Sequence, residues 1–414
     1  MPTNSNKKRV ADCIRHFTPS WFAVNMGTGA VSLLFSVFPY WTGSDALRAL
    51  STAFFFLNLL LFVLFCSASA VRYWCFPGVW RAMLRHPVQG LYVGAFPMGA
   101  LTLIAVGTTV LHGQYGFGGR AFLYALWGLW WADVALSALC CWGVVYLMIA
   151  EQRHALRDMS ALWLLPVVTP VVASSGGGAL AHALAAHTTT GALATLASAA
   201  CTLSAGLALA LALLVAYLLR LLQHGFPTGA GGVLAACVPL GPMGQAGVAA
   251  LLLGDAARTL LPRAHAPFFA RNERAAEALY ALAVCAALAL WALATLWLGY
   301  ALLGIQYALR RAGAPPFTLA YWGLIFPNGV YANLTIALAL ALDAPFFRIW
   351  GAIYAVVTLL LWIVVFSQTV VRVHNGRIFD APCLQEAADP ASSETMQDRA
   401  VPVDDQEKTR ASIC

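Results

Sequence analysis

Long runs without a single charged side chain dominate this sequence. A transmembrane helix needs about 20 apolar residues, and eight runs are long enough to cross a bilayer: 17–44, 49–71, 87–119, 159–219, 221–254, 278–309, 312–342 and 349–371. The run at 159–219 has room for two spans, with a polar turn around His182, His187 and Thr188 between them. A further span at 121–150 is interrupted only by Asp133. The sequence therefore predicts an all-α integral membrane protein with ten transmembrane helices.

The composition agrees with a location in lipid. Hydrophobic residues make up 61% of the chain and charged residues only 10%, whereas about a quarter of residues are charged in soluble domains. Up to residue 377, fourteen Arg and Lys residues lie before the first span, in the even-numbered loops and directly after the last span, against seven in the odd-numbered loops. The positive-inside rule then predicts that both termini are cytoplasmic. Because these residues flank spans, the net charge of +7 reflects membrane topology and argues against a nucleic-acid partner.

The residue patterns of metal sites and enzymes are missing from the sequence. The ten cysteines contain no C-x-x-C pair, and no two of the nine histidines share a span at i, i+4. We therefore predict no metal site, no cofactor and no catalytic residues. A membrane receptor or a structural membrane protein stays open as an alternative, although neither gives a reason for the repeat described next.

Proline and glycine mark five of the spans near their middle. The motifs are MGTG from Met26, FPMG from Phe96, LPVVTP from Leu165, PLGPMGQ from Pro239 and FPNG from Phe326. A proline inside a helix frees backbone groups, which a bilayer tolerates only beside neighbouring helices or a water-filled cavity. We predict five quasi-repeated helical hairpins, with the five broken helices around a central pore and their uninterrupted partners in an outer ring. For any one of these glycines or prolines taken singly, close helix packing is the favoured explanation.

The broken helices supply the candidates for the lining of this pore. Their central turns contain no Asp, Glu, Lys or Arg, so a small anion would be solvated by backbone amides, helix dipoles and neutral side chains. The candidates are Asn25, Gly27, Thr28, Gly29, Phe96, Pro97, Pro166, Thr169, Pro170, Pro239, Gly241, Pro242, Gln245, Pro327, Asn328 and Asn333. Asp133 is a candidate for proton coupling, although pairing with a neighbouring helix would explain it equally well.

Four tracts resemble the signatures of a known transporter family. They are HFTPSWFAVNMGTGAVSLLF from His16, WLLPVVTPVVASSGG from Trp163, VPLGPMGQAG from Val238 and YWGLIFPNGVYAN from Tyr321. In this order they resemble the tellurite-resistance/dicarboxylate transporter family, also called the voltage-dependent anion channel or slow-anion-channel family. The resemblance is strongest to its fungal sulfite efflux branch, and it covers about residues 15–377.

The resemblance implies a fold, an assembly and a gate. Members of this family have ten helices in five hairpins and are commonly homotrimers with one pore in each subunit. They carry small anions such as sulfite, chloride, nitrate or malate, and the sulfite efflux branch implies a plasma-membrane location. The phenylalanine that occludes the family's pore lies directly before a proline on the ninth helix, which matches Phe326. Phe96 has the related place in the second repeat and is a candidate for a lesser constriction.

The substrate is less constrained than the family, because the malate permeases share much of the same pattern. A dicarboxylate loses much hydration on entering a pore and ordinarily needs a fixed cation there. None lies mid-span in the five broken helices. This favours export of a singly charged anion such as bisulfite. The alternative is a permease for malate or another C4-dicarboxylate, which Arg15 or Arg72 at the pore mouth would serve.

Three parts are predicted along the chain. Residues 1–15 form a cytoplasmic N-terminal segment, and residues 16–377 form the transport domain in the lipid bilayer. Residues 378–414 form a disordered cytoplasmic tail, because the sequence becomes polar and acidic from Asp380 onward.

Overall fold

The fold is described from a computed structural model, which describes residues 10–227, 229–264, 274–376, 378–382 and 384. Within them, ten helices are long and apolar enough to cross a membrane, as predicted. They are α1 (Pro19–Val37), α2 (Asp45–Cys75), α3 (Gly90–His112), α4 (Gly119–Ala150), α5 (Ala161–Leu184), α6 (Thr189–His224), α7 (Gly231–Arg263), α8 (Ala275–Ala312), α9 (Leu319–Leu342) and α10 (Pro345–His374). The described residues form no strand, and the predicted all-α fold is confirmed.

The helices alternate between an inner and an outer position. In the odd-numbered helices, 67–89% of the residues in the most apolar window are buried inside the protein, against 17–39% in the even-numbered helices. The even-numbered helices expose Leu, Val, Ile and Phe side chains, as a lipid-facing surface requires. The predicted inner and outer rings are therefore confirmed.

The five inner helices form a closed ring. Each packs against the next, from α1 through α3, α5 and α7 to α9, and α9 packs back against α1. Every outer helix contacts the inner helix before it in the chain and the inner helix after it, with α10 returning to α1. Because each hairpin crosses the membrane twice, all inner helices begin at one face of the bundle, here called the start face. They end at the opposite face, the end face.

The prolines of the inner helices lie where α-helices begin, which corrects the predicted mid-span breaks. In each inner helix a short 3₁₀ segment precedes the main α-helical part. Pro97, Pro166, Pro242 and Pro327 are each the third residue of that part. The N–H groups of a first helical turn have no partner within the helix, so a proline there removes no hydrogen bond. Pro242, and not Pro239, is the repeated position.

Pro170 is the exception, since it lies inside the α-helical part of α5. Its missing N–H leaves the Pro166 carbonyl without its usual helical donor. The Thr169 hydroxyl donates to that carbonyl at 2.9 Å and also lies 2.9 Å from the Ser137 carbonyl of α4. Thr169 therefore satisfies the freed backbone group and joins α5 to the outer helix α4, without a water-filled cavity.

Glycine permits a close approach between α7 and α9. A Cβ atom added at Gly244 would lie 2.9 Å from the backbone carbonyl carbon of Val330 and 3.0 Å from the backbone nitrogen of Tyr331. Backbone atoms in a packed ring cannot turn aside as a flexible side chain can. The small residue is therefore a requirement of the ring, in keeping with the packing role of glycine in membrane helices.

The described residues at both ends of the chain are structured. Of the N-terminal segment 1–15, the structure describes a short helix, Val10–Arg15. After α10, Ile378 and Ala381 are buried, and Phe379 stacks on Trp21 with ring centroids 5.3 Å apart. The chain therefore stays packed for a few residues beyond position 377, where we placed the start of the tail. Residues 1–9, 383 and 385–414 lie outside the described residues.

Candidate functional site

Two cavities follow one another along the axis of the inner ring. The larger one, here called the vestibule, has a volume of about 420 Å³ and extends from Phe326 towards the end face. All five inner helices contribute to it. Its polar lining residues are Ser36, Thr102, Thr109, Ser175, Gln245, Asp255, Tyr280 and Asn333.

The smaller one, here called the narrow cavity, lies on the start-face side of Phe326 and has a volume of about 40 Å³. Residues of all five inner helices line it, among them Met26, Met98 and Val168. Its lining is mainly apolar, and it has room for only a few water molecules. The axis of the ring is thus wide on one side of Phe326, with polar side chains set among apolar ones, and tight and almost entirely apolar on the other.

Phe326 is the only residue in the described part of the chain that lines both cavities. It is 6% exposed and is the second residue of the α-helical part of α9, directly before Pro327. A bulky apolar ring at this place separates the two spaces, and it gives neither of them a hydrogen-bonding group.

The matching position in the other four inner helices is the second residue of each α-helical part. Ala23, Leu165 and Gly241 occupy it in α1, α5 and α7, and all three line the narrow cavity. Phe96 occupies it in α3 but lines neither cavity. It stacks on Phe62 of α2 at 5.6 Å and meets Phe22 edge to face at 5.1 Å. The structure therefore places Phe96 against the outer ring, whereas the sequence suggested a second constriction.

Hydrogen bonds fix the backbone beside Phe326. The Asn328 side-chain amide donates to the Leu324 carbonyl at 2.5 Å, within the junction between the 3₁₀ and α-helical segments. Its side-chain oxygen accepts a hydrogen bond from the Tyr354 hydroxyl of α10 at 2.6 Å. An outer helix thus holds the turn that presents Phe326 to the axis.

The polarity of the vestibule comes from neutral groups and one compensated carboxylate. Gln245 donates from Nε2 to Ser175 Oγ, and both residues are more than nine-tenths buried. At the end face, Asp255 Oδ1 lies 2.7 Å from Arg258 Nη2, and Asp255 Oδ2 lies 3.6 Å from His182 Nδ1. No Lys or Arg of the described chain lines either cavity. The axis offers dipoles to a ligand and no fixed cation.

Six predicted site residues line these cavities. They are Phe326 in both, Gln245 and Asn333 in the vestibule, and Gly241, Pro242 and Pro327 in the narrow cavity. The other predicted residues line neither cavity: Asn25, Gly27, Thr28, Gly29, Phe96, Pro97, Pro166, Thr169, Pro170, Pro239 and Asn328.

Asn25 and Thr28, two polar side chains of α1, face the outer helices and not the axis. Asn25 Nδ2 donates to Asn58 Oδ1 of α2 at 2.9 Å. One turn on, Thr28 Oγ1 accepts from the indole N–H of Trp362 on α10 at 3.1 Å. These hydrogen bonds join α1 to the outer helices α2 and α10, as polar side chains commonly do between membrane helices.

Asp133 lies buried on α4 and is 3% exposed. Its Oδ2 atom is 3.5 Å from Ser137 Oγ, and its Oδ1 atom has no hydrogen-bond partner among the described residues. Ser137 contacts α5 through the Thr169 hydroxyl. Asp133 therefore faces the junction of α4 with α5, and it lines neither cavity.

Sequence reasoning missed much of the vestibule lining. Asn333 follows Phe326 by seven residues, which is two helical turns. The same step leads from Val168 to Ser175 and joins Thr102 to Thr109. A seven-residue periodicity applied to every inner helix would have identified these polar side chains.

Comparisons with known proteins agree with this architecture. Residues 16–370 match the model of the family described as voltage-dependent anion channel, SLAC1. A sulfite efflux pump of Trichophyton rubrum is 33% identical over 368 residues, which cover 88% of this chain and 93% of that protein. A sulfite efflux pump of Arthroderma otae is 32% identical over the same shares. The malic acid transport protein of Schizosaccharomyces pombe is 23% identical over 357 residues, or 84% of this chain and 77% of that protein.

Proposed function

The chain belongs to the voltage-dependent anion channel family and is an anion transporter of that family; from this premise we propose that it exports sulfite through a pore gated by Phe326. The observation that carries the proposal is the position of Phe326, which alone in the described chain lines both the vestibule and the narrow cavity. A large apolar side chain at a narrow point blocks ions by excluding the water that would hydrate them. Moving this ring aside would join the two cavities.

The absence of Lys and Arg from the described lining of the axis supports bisulfite as the transported species. Bisulfite carries one negative charge, which the Gln245 and Ser175 dipoles and the Asn333 amide can solvate in the vestibule. A lysine or arginine beside the axis would bind an anion more tightly and slow its release. Weak binding by several neutral groups allows faster passage.

Malate transport is the alternative, and the similarity to the malic acid transport protein favours it. A C4-dicarboxylate has two charges to desolvate, and the narrow cavity offers it neither a cation nor many polar groups. The absence of Lys and Arg from the lining of both cavities, within the described residues, therefore weighs against malate.

Membrane, orientation and assembly are also part of the proposal. We place the protein in the plasma membrane with both termini in the cytoplasm, so that the start face of the bundle is cytoplasmic. The excess of Arg and Lys on that side supports this orientation. The family resemblance supports a homotrimer with one pore in each subunit and with the outer helices in contact with lipid or with other subunits.

Asp133 is the proposed site of proton coupling. Its carboxyl group is buried, lacks an ion-pair partner among the described residues, and lies beside the inner helix α5. Anion efflux by Asp133→Asn across a pH series tests this role. A changed pH profile supports coupling, and an unchanged profile in a folded variant removes Asp133 from the mechanism.

The deciding experiment for the function is anion flux from liposomes that contain the purified protein. Sulfite, malate, nitrate and chloride are measured side by side, with and without a pH gradient, and protein-free liposomes correct for passive leak. We expect sulfite to leave fastest under conditions where bisulfite is abundant. Faster malate flux would replace the substrate, and no flux of any anion would favour a receptor or structural role.

A further inference from the structure

A polar cleft opens at the start face, apart from the two axial cavities. Its volume is about 480 Å³. The α4–α5 connection contributes Arg157 and Asp158, the end of α6 contributes Arg220 and His224, and the first turn of α7 contributes Gly231. The cleft thus lies where three connected segments meet, and none of its charged residues has a role in the path described above.

Arg220 is a buried cation in this cleft. The residue is 8% exposed. Its Nε and Nη2 atoms donate to the Arg157 carbonyl at 3.2 and 3.1 Å, and its Nη1 atom donates to the Gly225 carbonyl at 2.5 Å. Three of the five guanidinium N–H donors are therefore used, and two remain. Carbonyl groups orient this charge but do not neutralise it.

The balance of charge in the cleft is positive. Arg157 and Arg220 supply two positive charges against the single negative charge of Asp158, and His224 adds a further nitrogen donor. None of these four residues forms an ion pair within the described part of the chain. A buried guanidinium without a counter-charge has lost hydration that an anionic ligand would replace.

The cleft adjoins the axis through Leu162. This residue lines both the cleft and the narrow cavity. The cleft that holds the guanidinium groups is therefore next to the start-face end of the path. The volume also leaves room for an anion together with bound water.

We propose that this cleft binds an oxyanion through Arg157 and Arg220 and loads it into the narrow cavity. The loading role rests on the proposed function, whereas the binding role does not. The positive charges of Arg157 and Arg220 thus lie outside the narrow part of the path. There they raise the local concentration of the substrate without holding it inside the pore. The recognised chemistry is that of a small oxyanion, which sulfite and inorganic phosphate share.

Binding is tested on the purified full chain by calorimetry, with sulfite and inorganic phosphate as separate ligands. Arg157→Gln removes an exposed guanidinium while keeping the backbone carbonyl that Arg220 needs. We expect affinity to fall about tenfold, the loss of one charge-assisted contact. Asp158→Asn removes the opposing charge, and we expect it to bind about twofold to threefold more tightly.

Arg153→Gln is the matched control, because Arg153 is exposed on the same connection but does not line the cleft. Its affinity should equal that of the unchanged protein. Equal affinity in Arg157→Gln, or an equal loss in Arg153→Gln, would overturn the binding site.

Flux measured over a range of sulfite concentrations then tests the loading role. We expect Arg157→Gln to raise KM about tenfold with little change in the maximal rate, since only recruitment is weakened. An unchanged KM with weakened binding, or a cleft that binds phosphate but not sulfite, would overturn loading. Binding without any flux in the unchanged protein would instead contradict the proposed function, so the two failures are distinguishable.

Discussion

The spaces on the two sides of Phe326 differ in both size and chemistry. The vestibule holds about 420 Å³ and has Gln245, Ser175 and Asn333 in its wall, whereas the narrow cavity holds about 40 Å³ between mainly apolar side chains. The narrow cavity lies at the starts of the α-helical parts, where bulky residues such as Met98 and Leu165 fill the axis. The comparison teaches that the barrier to an anion is local. It extends from Phe326 towards the start face, and the vestibule on the other side of Phe326 is already wide.

The largest effect should come from removing the boundary itself. Phe326→Ala would join the two cavities, and we expect sulfite flux to rise at least about tenfold, which needs only about 1.4 kcal/mol of barrier. Phe96→Ala is the matched control, because Phe96 has the same place in its own helix but packs against Phe22 and Phe62. Flux from liposomes with equal amounts of folded protein provides the measurement. A rise in sulfite flux in both variants, or in neither, would contradict the different roles assigned to Phe326 and Phe96.

A second test compares a glycine that lines the narrow cavity with a glycine that packs one inner helix against the next. Gly244→Ala places a methyl group against the backbone of Val330 and should lower stability by about 1–3 kcal/mol. Gly241→Ala, one turn earlier, meets no atom closer than 4.0 Å and should leave stability nearly unchanged. The thermal unfolding midpoints of the two variants in the same detergent would show the difference. Equal midpoints would contradict the close approach of α7 and α9.

A smaller effect should follow from loosening the turn beneath Phe326. Tyr354→Phe removes the donor to the Asn328 side-chain oxygen, and we expect a loss of about 1 kcal/mol in stability, typical of one hydrogen bond. A modest increase in sulfite flux should accompany it, because Phe326 is then held less firmly. Tyr300→Phe on α8 serves as the control, because Tyr300 packs edge to face on Trp297 and lines neither axial cavity. The same flux in Tyr354→Phe as in Tyr300→Phe would refute this role of the hydrogen bond between Tyr354 and Asn328.

The smallest effect concerns the α4–α5 connection that borders the cleft. His154 lies there outside the membrane-spanning segments, with Nε2 2.7 Å from Gln152 Oε1 and its ring 4.7 Å from that of Trp163. Burial lowers the pKa of His154 below its usual value of 6.5. The folded connection therefore favours the neutral ring, and its stability is fully present above pH 6.5 and declines as the pH falls below that value.

Hydrogen exchange of residues 151–160 at a series of pH values, corrected for the intrinsic rate, measures this decline. Protection should fall between pH 7 and pH 5 in the unchanged protein, a range that spans the usual histidine pKa of about 6.5. His154→Gln should show no such dependence. A steeper loss of protection at low pH in the variant would contradict the direction of the pH dependence assigned to His154.

The arrangement of helices was predictable because lipid leaves few choices. Long charge-free runs must cross the membrane as helices, and the contrast between glycine-rich and plain runs predicted the inner and outer rings. The rotation of each helix about its own axis was harder to predict. A glycine such as Gly244 and a polar residue such as Asn25 satisfy the packing of neighbours as readily as they line a pore.

The role of the prolines was also hidden from the sequence. Whether Pro327 breaks a helix or begins one depends on the preceding 3₁₀ segment, Leu319–Leu324, which carries no distinct hydrophobic pattern. Asp255 and Tyr280 were missed because they lie near the ends of spans, where a polar side chain is expected in any orientation.

The most direct test of the local barrier is side-specific labelling of an engineered thiol. The ten native cysteines are replaced, Asn333→Cys places a thiol in the vestibule, and a membrane-impermeant thiol reagent is added to one face at a time. With Phe326 present we expect labelling from the end face only, and with Phe326→Ala we expect labelling from both faces. Labelling from the start face while Phe326 is intact would contradict the account.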